Sequence, residues 1–324
     1  MKIFIAVTDN DWFEMLSHLD DVDEVNFWQP SGRTRFQALQ PGEPFLFKLH
    51  SPLNYIVGGG FFAHSTIFPS SLAWEAFGEK NGASSLIEMR KRIIKYRNTT
   101  HDLYEDFQIG CIILEQPFFL AKADWIPVPS DWKMNIVRGK TYELNSDPGK
   151  SIWERVQYMI KSQGYQPMPR FQIEEAHAKY GKEILVKPRL GQGAFKVLVT
   201  DAYNRSCAIT RERTLPVLEA AHIKPYSESG PHNIQNGILL RSDMHRLFDK
   251  GYLTVTPQLH VEVSRRIKEE FDNGKYYFTF HGKVFIHLEN RQTVRHPNFS
   301  LGIMIISLEN RIRLWLYLIS SGNI

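Results

Sequence analysis

The sequence predicts an α+β protein of two domains. The first is a small β-barrel of about 140 residues. The second is built on a long-looped β-hairpin followed by a short helix. Three observations predict this. At 324 residues the chain is longer than one ordinary domain. Short strand-like runs separated by turn residues crowd the first half. The charge also divides: residues 1–150 carry 15 Lys+Arg and 19 Asp+Glu, whereas residues 151–324 carry 24 and 16. The hydrophobic fraction of 43% is ample for a real core in each half.

In the first half "KIFIAVT" (2–8) alternates like a strand. "PFLFKL" (44–49), "YIVGGGFFAH" (55–64) and "QIGCIILEQPFFL" (108–120) are further strands, the second built around glycines. "QPGEP" (40–44) and "HSPLN" (50–54) are turns. "SSLIEMRKRIIKYR" (84–97) spaces its apolar residues as a helix does. The polar, turn-rich "GKTYELNSDPGK" (139–150) is the expected boundary, and "SIWERVQYMIKSQ" (151–163) a linking helix. The expected division is 1–148, a 149–188 linker and 189–324.

In the second half a helix is predicted to start near Gln192. "LPVLEAAHI" (215–223) and "NGILLRS" (236–242) read as strands, and "SDMHRLFDKG" (242–251) as a short helix, capped by Ser242 or Asp243 and ended by Gly251. A hairpin whose long loop joins these strands, followed by that helix, brings His222 and His245 to one place.

Two cysteines, Cys111 and Cys207, exclude a disulfide framework and a CxxC zinc ribbon, and a reducing cytoplasm is expected. The start "MKIFIAVTDNDWFEM" lacks the plan of a signal peptide. The apolar tail "LGIMIISLENRIRLWLYLISS" (301–321) is broken by Glu309, Arg311 and Arg313, so it predicts a docked helix or strand, not a membrane span. A basic half, holding eight of the twelve histidines, points to a polyanionic partner.

His222, Asn236 and His245 suit phosphodiester hydrolysis. A neutral imidazole takes a proton from water near pH 7. A second imidazole holds a divalent ion that offsets charge on the phosphate and the leaving oxygen. An asparagine amide both donates and accepts, so it can pin a loop. Lys224, Arg241 and Arg246 surround the motif as candidate phosphate contacts. Arg189 and Gln192 either touch the DNA backbone or fix the lead-in helix.

The stretch "AHIKP…N-GILLRSDMHRLFDKG", with its lead-in "RLGQGAFKVLVTDAYNRSCAIT", resembles the HNH or ββα-metal nucleases, nearest the branch found in bacterial restriction endonucleases. The resemblance runs from about Arg189 to Pro297 and implies that His222 is the general base, Asn236 the loop-fixing residue and His245 a metal ligand. The implied cofactor is Mg2+, or Mn2+, Ni2+ or Co2+, with no organic cofactor. Many HNH nucleases carry Asp or His just before the base, where this chain has Ala221. Glu219, two residues away on the same strand face, and Asp249, one helical turn after His245, are either the further metal ligands or ordinary surface carboxylates.

The pattern "pG-PFLFK…IVGGG-F" resembles, more loosely, the PUA-like superfamily near its EVE, ASCH and YTH members, over roughly residues 1–145. This resemblance implies a pocket that stacks a modified or flipped base on aromatic rings. Trp28, Phe61, Phe62, Trp74 and Trp132 are the aromatics nearest loops, and each either lines that pocket or packs in the core. An acidic first half favours local selectivity over general attraction to DNA.

Together these imply a modification-dependent endonuclease on double-stranded DNA, reading 5-methyl-, 5-hydroxymethyl- or glucosylated cytosine. The alternatives are a conventional sequence-specific HNH restriction enzyme and a modified-DNA binder with a decayed nuclease. One site per chain favours a homodimer for a double-strand cut.

Overall fold

β1 (Lys2–Thr8) buries Ile3, Ile5 and Ala6 and starts the only large sheet among the described residues. The computed structural model describes residues 1–97, 102–162, 191–223, 234–256 and 258–285. Contacts divide the chain into units Met1–Ala194 and Phe195–Ile324.

In the first unit α1 (Asn10–Ser17), β2 (Glu24–Gln29), β3 (Pro44–Leu49), β4 (Tyr55–Pro69), α2 (Ser70–Phe77), α3 (Leu86–Arg97), β5 (Gln108–Phe119), β6 (Ile126–Pro127), β7 (Gly139–Glu143) and α4 (Gly149–Ser162) follow β1. The strand order is β2-β5-β4-β3-β1-β7, with β6 beside β4. β1 and β3 are parallel, and the other pairs are antiparallel. The expected closed barrel is corrected here. β2 and β7 end the path and do not pair, so the sheet stays open. Within it β4 shifts register against β5 at Gly59/Phe61 and at Phe62/His64. Gly58 is needed there, because a Cβ would stand 2.3 Å from the Phe118 carbonyl.

Part of the core of this unit is a cluster of aromatic rings. Trp12 meets Phe27 and Phe47 edge-on at 5.3 and 5.1 Å, and Phe27 meets Phe45 at 4.9 Å. Asp9 caps α1 by accepting the Trp12 N–H at 2.8 Å.

Two segments differ from the sequence reading. The polar stretch at 139–150 contains β7, whose Tyr142 pairs with Ile3, lies in the core and donates its hydroxyl to Asp131. Thr141 and Glu143 flank Tyr142 because β7 is an edge strand, with one face in water. The expected linking helix is α4, whose Ile152, Val156 and Ile160 repeat every four residues and pack with Ile3, Ile5 and Leu46.

The second unit contains most of α5 (Gln192–Ala202), which the division crosses, then β8 (Leu218–His222), β9 (Gly237–Arg241), α6 (Ser242–Asp249), β10 (Leu253–Val255), β11 (Val261–Val263), α7 (Arg266–Glu270) and α8 (Gly274–Phe278). β8 and β9 form the antiparallel hairpin, and β10 and β11 a second one. The first strand is shorter than expected, since Pro216 turns 215–217 into a 3-10 turn. α6 has Arg241 at its N-cap with no side-chain cap, in place of Ser242 or Asp243. Gly251, at φ +74°, follows its end.

Among the described residues no helix is long and apolar enough to cross a membrane. The tail at 301–321 lies outside them.

Candidate functional site: a hairpin, a helix and an aromatic cleft

β8 ends on His222, which pairs with Gly237 at the start of β9. Asn236, buried at the end of a 3-10 turn, accepts the Ile223 N–H on its backbone carbonyl at 2.8 Å. That bond ties together the two ends of the long loop between the strands. The His222 ring stacks on Phe195 of α5, with centroids 4.1 Å apart and planes 7° from parallel. Gly237 allows this approach, because a Cβ there would meet Val199 at 2.3 Å and the Phe195 ring at 3.1 Å. Neither Phe195 nor Gly237 was singled out from the sequence. Phe195 reads there as one more apolar residue of a buried helix face, and only the fold sets it under His222.

α6 presents two adjacent faces. Met244 and Phe248 are buried, while His245 and Asp249 stand one turn apart on the wetter side. His245 Nδ1 lies 2.7 Å from Glu219 Oε2, and its Nε2 lies 3.2 Å from Asp249 Oδ2. Glu219 comes from β8, so strand and helix meet at the imidazole. Ala221 is fully buried. Among the described residues no three His, Cys, Asp or Glu side chains form a ready metal cage.

Arg241 is committed within the protein. Its guanidinium donates twice to Asp243 at 2.6 Å and once to Tyr276 at 3.2 Å. The Asp243 hydrogen bonds raise its pKa further. Burial pulls Asp243 upward, but the bonds and charge of Arg241 hold it below the ordinary carboxylate range. Arg246 is exposed on α6 and has no ion pair with any described residue. Gln192 is exposed at the start of α5. Lys224 and Arg189 lie outside the described residues. Buried Cys207 accepts backbone N–H groups from Thr210 and Arg241 at 3.4 and 3.3 Å, which fixes the turn before the hairpin.

The first unit holds a cleft of about 750 Å3. Trp28 and Tyr96 line it, 6.2 Å apart, with Trp12 and Phe27 also on its wall. The Trp28 indole donates to the Asn81 carbonyl at 3.0 Å. Tyr96 donates to Asp9 at 2.5 Å and stacks on His50 at 5.9 Å. Burial, then the Asp9 bond, push the Tyr96 pKa upward, so its hydroxyl keeps its proton. The other expected pocket residues lie elsewhere. Phe61 and Phe62 are buried, Phe61 against Trp153 and Phe62 against Phe36. Trp74 is on α2, and Trp132 packs against the sheet core beneath Lys48. The cleft residues missed from the sequence are Asp9, His50 and Tyr96. Tyr96 lay in the basic helix, where it reads as a solvated residue.

A search of the curated proteins returns no match. Residues 207–256, which hold β8, β9 and α6 together with Glu219, His222, Asn236, His245 and Asp249, match the model of the HNH endonuclease family HNH_2, so this segment is similar to HNH endonucleases and implies a DNA nuclease.

Proposed function

We propose that the chain is a modification-dependent DNA endonuclease. The second unit hydrolyses the phosphodiester, and the first selects DNA carrying a modified cytosine. The observation that carries the nuclease part is the coincidence of the HNH endonuclease match with the hairpin–helix cluster at Glu219, His245 and Asp249.

In this reading His222 takes the proton from the attacking water. Its stack on Phe195 holds the ring plane, and the Asn236–Ile223 bond keeps the loop from pulling the strand end away. With Nδ1–H donating to Glu219, His245 turns the Nε2 lone pair toward Asp249. The donor set fits a divalent ion with two protein ligands. His245 Nε2 and Asp249 Oδ2, 3.2 Å apart, are the two atoms that would hold such an ion, with water completing its shell. Glu219 then orients the imidazole from behind, as carboxylates do for metal-bound histidines. A bound Mg2+ or similar ion supplies charge stabilisation for the phosphate and the leaving 3′ oxygen. The products are 5′-phosphate and 3′-hydroxyl ends. Exposed Arg246 is the nearest described candidate to hold a backbone phosphate, joined by Lys224, Arg189 and Gln192.

The selectivity part is supported by the aromatic cleft beside Trp28, since a flipped base needs rings to stack on. The test is cleavage of matched plasmids bearing cytosine, 5-methylcytosine, 5-hydroxymethylcytosine or its glucosylated form, with and without Mg2+ and EDTA. Preferential cutting of one modified plasmid, silenced by EDTA, is expected. Equal cutting of all four favours the sequence-specific alternative. Ala221, buried where a ligand would stand, favours a decayed nuclease if none is cut.

A further inference from the structure

We infer that the cleft of the first unit binds a whole nucleotide, its base against the Trp28–Tyr96 wall and its flanking phosphate on Arg33 and Arg138. This rests on the base-reading part of the proposed function and adds a second, charged half to that site.

The volume of about 750 Å3 lies within the roughly 300–1,000 Å3 of small-ligand sites. One side is aromatic. Two arginines, Arg33 and Arg138, line the cleft from other segments, and both are exposed. Neither guanidinium has a hydrogen bond or ion pair with any described residue. This is unusual in a half with more acidic than basic residues, where carboxylates are plentiful. Two cations left unneutralised beside a ring wall complement a phosphate next to a stacked base.

The loop that carries Arg33 is held in place. Arg97 donates to the Pro30 carbonyl at 2.6 Å and to the Gln108 carbonyl, and lies over the Phe107 ring at 4.3 Å. Gly32 comes so close to Gln108 that a Cβ would meet its carbonyl oxygen at 2.4 Å. Arg97 is therefore a scaffold for the loop, and Arg33 the cation it displays. Arg138 is fixed at its backbone, where its carbonyl accepts the Val7 N–H at 2.9 Å. Preorganised backbones of this kind limit the ordering cost of a phosphate contact.

The nucleotide chemistry could come from a DNA strand or from a free nucleotide. The full chain is titrated in EDTA, over a salt series, with duplexes carrying one 5-methylcytosine, 5-hydroxymethylcytosine or glucosylated 5-hydroxymethylcytosine, their unmodified twin and the matching modified deoxycytidine monophosphates. The variants are Arg33→Ala/Arg138→Ala and Tyr96→Ala, each with a melting curve. The double variant is expected to reduce the slope of log affinity against log salt on the preferred modified duplex by roughly 1, about 0.9 for the one phosphate the two arginines share. Tyr96→Ala should remove the preference for the modified duplex and leave that slope unchanged. An unchanged slope in the double variant, with affinity within twofold of wild type, overturns the phosphate half while a retained preference leaves the base reading standing. Loss of slope with no preference in the wild-type chain sinks the base reading instead. If a monophosphate raises the melting temperature through Arg33 and Arg138 while duplex binding ignores both variants, the cleft serves a free nucleotide and the DNA assignment is overturned.

Discussion

The hairpin–helix site and the aromatic cleft are built in opposite ways. The first concentrates polar groups: Glu219 and Asp249 each lie within hydrogen-bonding range of His245, where a two-stranded sheet meets a helix. The second hides its polar groups behind rings, with Asp9 engaged by Tyr96 and Trp28 by Asn81. Chemistry on a phosphodiester needs water, charge and unhindered approach, so its residues stay wet. Recognition of a base needs rings presented to it, which is what Trp28 and Tyr96 offer in the proposed reading. Single substitutions should therefore act on rate in one region and on selectivity in the other.

The largest expected effect is on rate. His222→Ala should lower cutting by roughly 10²–10⁴-fold, the usual contribution of a general base. Modified-DNA affinity and melting temperature should stay near wild type. Supercoiled-plasmid cleavage under single turnover, with a binding titration beside it, measures both. A fall in affinity as large as the fall in rate would erase the division between the regions.

Next comes the orientation of His245. Glu219→Gln keeps the size of the side chain but removes the charge that holds the Nδ1 proton. Partners of this kind cost about 10–100-fold in metal affinity or activity when altered. The activity should be partly recovered at higher Mn2+ concentration, because the ligands themselves remain. A variant as active as wild type at every metal concentration would make Glu219 an ordinary surface carboxylate.

The two regions also differ in how far the sequence reveals them. The proposed nuclease residues fall within 219–249, on elements joined directly in the chain, and local spacing carries most of their arrangement. β3 at 44–49, the start of α5 at Gln192 and α6 from Ser242 were all readable from apolar period and turn residues. The cleft collects Asp9, Trp28, His50 and Tyr96 from separate elements, and only strand order brings them together. Periodicity holds no record of that order. The same blindness explains β7, an edge strand too polar to register, and Phe61 and Phe62, which look rim-like beside glycines but face the core. It also explains Phe195, whose role depends on a strand that follows it in the chain.

A smaller effect separates cleft rings from core rings. Tyr96 is 40% exposed, so Tyr96→Ala should leave the fold intact. Affinity for modified DNA should fall about tenfold, within the 1–3 kcal/mol of a base–aromatic contact. Phe62→Ala, in the core, should instead lower the melting temperature and both affinities together. If Tyr96→Ala lowers modified and unmodified affinities equally, the wall is not a selective surface.

The smallest expected effect is on pH dependence, and it belongs to the cleft alone. His50 stacks on Tyr96, and burial pushes its pKa below the ordinary value. Asp9 pulls it up, while Lys48 and Lys95 push it further down. The unfolded chain therefore takes up a proton at higher pH than the folded one. His50 costs no stability well above about pH 6.5, the ordinary histidine value, and lowers stability progressively as pH falls through and below it. His50→Gln removes the titrating group but keeps a polar side chain. The melting temperature of wild type should drop more between pH 7.5 and pH 5.5 than that of the variant, with the difference opening only on the acid side. Cutting assayed at pH 7.5 should not change with this substitution, since His222 lies in the other unit. A wild-type melting profile that parallels that of His50→Gln over the whole range would show that His50 is solvated, and that the wall behind Tyr96 is wetter than the geometry of the stack implies.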